Sequence, residues 1–457
     1  MGLNATGLST SSNPVTVTTP GTASAFMWFA APGMSQYFVP VELLNGTPSS
    51  NVRLPYVPNS MVMDQLGNNL YFGSAHELMV FSTANNALNR EDPSVPGVVL
   101  AVSPNNSQLL INDPIRQVFY VYGANGAVAS QFGGVGSAAF WTPDSKTLYV
   151  TDSAAAGAGH TNTLYVYNVN TGWTTYDLTS SGGAERLALT IPGVGAYLSG
   201  NPTVAHTWCP SGTQGDYASL SFYPQGDSVD ALTSVLAATI DGKHILGAAL
   251  NGGAIELSDI GVTIPGTETT SGTGTKVLTP DPCQQSGTTL EPLNITHTLN
   301  QTTVTANATT LNQIVASPAA VGQNGSVTGP GVAFITYTGA TPGAKLPYYE
   351  PSAAAGQTGT VGYVTLTGAS SITAPVAGAF SPDNTLFFVS TAGDNKIHYV
   401  SVPSTATGVP VDKQQLSPKL PACVPLSASD PNCVNTTVPA GGYVPATVIT
   451  VKPRTTT

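Results

Sequence analysis

FSPDNTLFFVSTAGDNKIHYVSV, residues 380–402, decides the fold of this chain. A turn built on Pro382, Asp383 and Asn384 opens into a β-rich run. A polar gap and a second β-rich run follow. The phrase returns as WTPDSKTLYVTDSAAAGAGHTNTLYVYNV over 141–169 and as VSPNNSQLLINDPIRQVFYVYG over 102–123. A period of about 40–50 residues with several short strands per unit predicts a β-propeller.

Anchored on their turns, the units fall at Asp64, Asn105, Asp144, Gly193, Asp241, near Pro318 and at Asp383. The second runs after them read HELMVFS, RQVFYVY, NTLYVYNV, TVAHTWC, GAIELSDI, GTVGYVTLTG and KIHYVSV. Asp, Asn and Gly at these points tolerate the left-handed backbone of tight hairpins. In the run from Leu164, alternation puts Leu164, Val166 and Asn168 on one face and Tyr165, Tyr167 and Val169 on the other. Two apolar faces suit a sheet stacked between two neighbours. Ala25–Gly46 reads as a further unit lacking its first strand, and Gly442–Pro453 (GYVPATVITVKP) supplies one. The expected fold is all-β, a propeller of four-stranded blades closed by N- and C-terminal strands. The count is eight blades, or seven if the irregular Gly193 unit is not one. The expected organisation is an extended segment at 1–23, a propeller over 24–416 with a Thr-rich insertion at 265–308, and a Cys-bearing tail at 417–457 with its closing strand at about 443–453. The insertion and the Pro-, Ser- and Thr-rich stretch 404–441 lack an apolar period and read as surface loops.

Composition narrows the partners. Charged residues are 8% of the chain, the net charge is −11, and Lys and Arg number 13, scattered singly. Nucleic-acid binding needs clustered cations, so it is excluded. No apolar run reaches the ~18–20 residues of a membrane span. Residues 1–24 carry no basic or apolar leader pattern, so a signal peptide is not expected there. Four cysteines in a polar β-rich chain suggest two disulfides and an oxidising compartment. Cys423 pairs with Cys433 across a short loop, which leaves Cys209 for Cys283; four buried free thiols are the alternative. Eight Asn-x-Ser/Thr triplets are glycan acceptors only in a eukaryotic secretory host.

The units at Asp144 and Asp383 resemble the YVTN-type β-propeller repeats of secreted and cell-surface bacterial proteins. The runs IPGVGAYLSGNPTVAHTWCP and VPATVITVKPRTTT are similar to a subgroup whose propeller often follows bacterial Ig-like modules. The resemblance implies export and surface display. It implies no reaction, because propellers serve as enzymes, binders and scaffolds.

Chemistry-bearing patterns are sparse. No nucleophile elbow, zincin helix, Walker loop or dinucleotide fingerprint is present, and no cofactor or metal is expected. Asp64, Asp144, Asp241 and Asp383 read as turn residues whose carboxylates accept backbone N–H bonds two residues on. The histidines are His76, His160, His206, His244, His297 and His398; His398 reads as a packed strand residue. Trp28 and Trp141 lie in β-runs and read as core. Trp173, in the NTGWTTY turn, and the pair Tyr348 and Tyr349, in LPYYEP, read as an exposed surface for a glycan or protein partner. The leading expectation is a non-catalytic exported or cell-surface module that binds a surface glycan, a protein, or copies of itself. The alternatives are a lactonase-like hydrolase, for which the Arg supply is thin, and a filament or layer built through the strand-like ends near Val15 and Val448.

Overall fold

The computed structural model describes residues 25–42, 46–151, 163–176, 307–317, 331–352, 359–403, 408–424, 432–435 and 437–453 in full. Elsewhere, chiefly from 177 to 306, it describes strands, in part by backbone alone. Among the described residues, eight antiparallel sheets of four or more strands follow one another as blades. Blade 2 is built from Ser60–Met63, Asn69–Gly73, Leu78–Ser82 and Ala87–Asp92. Blade 3 takes Val98–Val102, Gln108–Asp113, Val118–Gly123 and Val128–Gly133, and blade 4 takes Ala138–Trp141, Thr147–Thr151, Thr163–Asn168 and Gly172–Asp177. Blade 5 takes Arg186–Leu189, Ala196–Ser199, Val204–Trp208 and Ser219–Ser221. Blade 6 starts with Thr233–Ala238, His244–Asn251 and Ala254–Thr263. Blade 7 has Ala308–Ala316, Ala333–Gly339, Leu346–Glu350 and Thr360–Val364, and blade 8 has Ala374–Phe380, Leu386–Ala392, Lys396–Ser401 and Val411–Leu416.

Blade 1 joins the two ends of the chain. Val448–Val451 pairs antiparallel with Ala25–Ala30, setting Trp28 opposite Thr450 and Phe29 opposite Ile449. Tyr37–Glu42 and Val52–Arg53 complete it. The first strand of each blade lies beside that of the next; blade 8's lies beside Val448–Val451, which reaches Ser60–Met63. These neighbours run in sequence from blade 1 to blade 8 and back, as in a ring whose first blade takes its inner strand from the C-terminal segment. The pairing places Val448–Val451, one of the two ends expected to drive self-assembly, within blade 1; the other, near Val15, lies outside the described residues.

The blades hold together through apolar faces on both sides. Trp28 and Phe38 of blade 1 pack with Leu70, Phe72 and Phe81 of blade 2. Leu110 and Phe119 of blade 3 meet Trp141, Val150 and Tyr165 of blade 4. Phe334 of blade 7 stacks on Phe387 of blade 8, ring centroids 4.2 Å apart. At the closing seam, Ile449, Met27 and Phe29 pack with Phe388, Ile397 and Tyr399. Trp28 and Trp141 are buried, as expected, and so are Leu164, Tyr165, Val166 and Tyr167.

Two segments read as loops contain strands. Asn294–Thr298 and Thr302–Thr305, inside the Thr-rich insertion, pair with Ala254–Thr263 and extend blade 6. NITHT and TTVT carry no apolar period that would mark them as strands. In the tail, Cys423 and Cys433 form a disulfide. Cys423 N–H donates to Met34 O, Val434 N–H to Gly33 O, and Asn432 Nδ2 to Val57 O, so the described ends of this loop, 423–424 and 432–435, are tied to blade 1 and its connection to blade 2. Tyr443–Val444 pairs locally with Leu420–Pro421, so the closing strand is shorter than the segment 443–453. One repeat element is also reassigned: GTVGYVTLTG supplies the outermost strand of blade 7, and Leu346–Glu350 is the third. Cys209, Cys283, His160 and the turns at Gly193, Asp241 and Pro318 lie outside the described residues.

Candidate functional site

The repeated acids are turn residues. Asp383 Oδ1 accepts from Ser381 Oγ, Thr385 N–H and Thr385 Oγ1, while Ser381 Oγ accepts from Leu386 N–H. Asp144 repeats the pattern with Thr142 and Lys146, and Asn105 with Ser103 and Ser107. The next residue, Asn106, Ser145 or Asn384, takes a left-handed backbone. Its side chain can tie one turn to another: Asn106 Oδ1 accepts from Gln65 N–H of blade 2, and Ser145 Oγ from Asn105 N–H of blade 3. Asp64 accepts from Asn68 N–H, Asn69 N–H and Asn69 Nδ2.

Two histidines are also bound into the scaffold. His398, in the third strand of blade 8, is fully buried. Its Nδ1 lies 2.9 Å from Asp412 Oδ2 and its Nε2 3.6 Å from Asp394 Oδ2, the latter an ion-pair distance and too long for a hydrogen bond. Burial alone would lower its pKa; the two carboxylates outweigh that and raise it. Burial pushes Asp394 and Asp412 up, but the neighbouring His398, with hydrogen bonds from Thr391 to Asp394 and from Thr367 N–H to Asp412, holds both below the usual carboxylate range. In blade 6, His244 Nδ1 meets Asp259 Oδ1 at 2.9 Å, and Tyr349 of blade 7 donates its hydroxyl to Asp259 Oδ2 at 2.6 Å. His206 and His297 lie in strands, described by backbone.

The aromatic surface expected at Trp173, Tyr348 and Tyr349 does not form as one. Tyr348 and Tyr349 are 7% and 0% exposed. The third strand of a blade has a neighbour on each face, so two consecutive aromatics both become buried. Trp173 is half-buried, with its ring stacked on Phe119 and Phe132 of blade 3 and its Nε1 donating to Ser130 Oγ. It joins blades 3 and 4.

Polar side chains of two blades line a cleft of ≈ 450 Å³ between blades 2 and 3. Asp64, Asn68 and Asn69 come from the first turn of blade 2, Asn89 and Arg90 from its outer strand, and Asn106 and Ala124 from the turns of blade 3. The outer strand is bulged: Val80 faces Arg90 while Phe81 faces Leu88, so Asn89 is the extra residue. Such a bulge re-aims its neighbours. The Arg90 guanidinium sits 5.3 Å from the ring centre of Tyr122, a cation–π contact. Its Nη1 makes one long bond, 3.5 Å, to Ala124 O, and its Nε is enclosed without a partner. A Cβ at Gly126 would come within 2.7 Å of Nη1, and the backbone there has φ +88, so glycine suits this approach.

The other face of blade 2 holds a second polar group. Glu77 is 8% exposed and its Oε1 has no partner. Burial, with the charge and hydrogen bond of Glu91, pushes its carboxyl up to about 7. Beside it in sequence, His76 stacks on Tyr56 at 4.3 Å. Sequence reasoning missed both Arg90 and Glu77. The available signal was Asn-Arg-Glu-Asp at 89–92, a dense polar run in a chain with few charges. Among the described residues, no group of three or more His, Cys, Asp or Glu has metal-binding geometry.

The fold has many solved counterparts. The chain is similar to a dihydro-heme d1 dehydrogenase, NirN, solved with DHE: TM-score 0.53 and 10% identity over 87% of this chain and 74% of that one. A putative 6-phosphogluconolactonase from Bacteroides uniformis gives TM-score 0.47 and 15% identity, covering 88% and 99%. The Cps50 (Swd1) β-propeller domain of Myceliophteria thermophila gives 0.43 and 8%, covering 80% and 88%. At such identities the likeness concerns the fold alone: this is a β-propeller protein. No protein-family model and no curated protein matches the chain.

Proposed function

We propose that this chain is a non-catalytic β-propeller, exported and displayed at the cell surface, where it acts as a binding module. One observation carries the reading. Side chains that could form a ring of acids and bases are bonded within the scaffold, as at Asp144, Asp383, Asp394, His398 and Asp412. Uncommitted amides and a guanidinium share one solvent-open cleft instead. The Cys423–Cys433 disulfide supports an oxidising compartment, and the charge-poor composition and the YVTN-type resemblance support display on a bacterial surface. The test is a glycan array probed with the full chain. Selective retention of a glycan class supports the reading; retention of none removes it.

A second reading is a hydrolase of the lactonase type. Glu77 favours it: a buried carboxyl poised near neutrality, next to Glu91 and His76, has the character of a general acid or base. A lactone panel assayed with the native chain and Glu77→Gln decides it. Rates above the uncatalysed background that fall in the variant favour the hydrolase; background rates in both exclude it for that panel.

A further inference from the structure

Arg90 has more donors than partners. A guanidinium offers five N–H groups in a planar fork, and here one long bond to Ala124 O and the Tyr122 ring are its contacts. The nearby acids are committed. Asp64 is filled by Asn68 and Asn69, and Asp92 by Ser94 N–H, Ser94 Oγ and the Tyr122 hydroxyl. Among the described residues, none forms an ion pair with Arg90. Nε is enclosed, so the free edge of the fork is Nη1–Nη2, which meets a carboxylate with two parallel bonds.

The amides around it suit hydroxyl groups. Asn106 uses its Oδ1 on Gln65 N–H and keeps Nδ2 to donate. Asn68 and Asn89 are exposed, with side chains outside the hydrogen-bond network of the described residues. An amide offers a donor and an acceptor side by side, the complement of vicinal hydroxyls. A volume of ≈ 450 Å³ admits a molecule of one or two sugar rings. Charge limits the anion: Asp64 and Asp92 lie close, so a phosphate dianion meets twice the repulsion of a single carboxylate.

We propose that the cleft between blades 2 and 3 binds a sugar acid, with Arg90 holding its carboxylate and Asn68, Asn89 and Asn106 its hydroxyls. The proposal rests on the binding-module reading and names the ligand class. The experiment titrates the full chain calorimetrically with D-glucuronate, D-glucose and D-glucose 6-phosphate. The expected result is about tenfold tighter binding of glucuronate than of either other sugar. Arg90→Gln should remove that preference and Arg90→Lys should retain part of it, since lysine keeps the charge and loses the fork. Circular dichroism checks that each variant folds. Asn89→Ala, at an exposed position, supplies a second route and should weaken glucuronate several-fold. Equal binding of the three sugars, no glucuronate binding, or an affinity unchanged by Arg90→Gln overturns the site. Glycan-array binding that survives Arg90→Gln overturns the site and leaves the module. Arg90-dependent binding accompanied by Glu77-dependent turnover leaves the site and overturns the module.

Discussion

Replacing His398 by Gln should destabilise the propeller most in mildly acidic solution. The imidazole lies between Asp412 at 2.9 Å and Asp394 at 3.6 Å, and all three side chains are at least nine-tenths buried. Asp412 also accepts from Thr367 N–H in the connection from blade 7, so the cluster fastens that connection to the outer strand of blade 8. Removing one partner of a buried ionic group costs about 3–5 kcal/mol, because the remaining charges stay desolvated and unpaired. The signs set the pH window. The folded pKa of His398 is raised, so its contribution is complete below the unfolded value of about 6.5 and is lost as pH rises through the folded value. Those of Asp394 and Asp412 are lowered, so theirs is complete above about 3.9 and is lost as pH falls through the folded values. The gap between native and His398→Gln protein should be widest between about pH 4 and 6.5 and narrow on both sides. Urea unfolding of both proteins from pH 3 to 9, followed by circular dichroism, measures it. A gap that is constant with pH, or smaller than about 1 kcal/mol at pH 5, refutes a charged cluster.

Three further outcomes follow from the same geometry. Truncation after residue 447 removes four paired residues, the buried Ile449 among them, about 6 kcal/mol in all, and opens Ala25–Ala30 as an edge; light scattering should show association that a peptide spanning 445–453 suppresses. Replacing Cys423 and Cys433 together by Ser should lower stability by about 2–3 kcal/mol, the loop entropy of a sequence separation of 10, read from the denaturant midpoint. Asp383→Ala loses three accepted hydrogen bonds at an exposed turn and should cost about 1–2 kcal/mol while leaving ligand binding intact, checked by parallel unfolding and titration.

The repeat made most of the ring legible in the sequence. Turn chemistry at Asp144 and Asp383 is local, so it survives in the order of residues, and both faces of TLYVYNV are apolar because both are covered. The closing strand was also visible, since Val448–Val451 is β-branched. The outer strand of blade 6 was not, because NITHT and TTVT carry no apolar period. Nor was the burial of Tyr348 and Tyr349, which depends on their being the third strand and not a loop. The cleft was the least legible feature. It is made by a bulge at Asn89 and by turns of two blades that approach only after the ring has formed, and no single repeat carries that information.

The most direct measurement incubates the full chain with a retained glycan or a lactone panel and recovers the bound fraction by mass spectrometry. The binding-module reading predicts that the ligand returns chemically unchanged and that Glu77→Gln leaves its retention intact. Product that accumulates with the native chain and disappears with Glu77→Gln would contradict it.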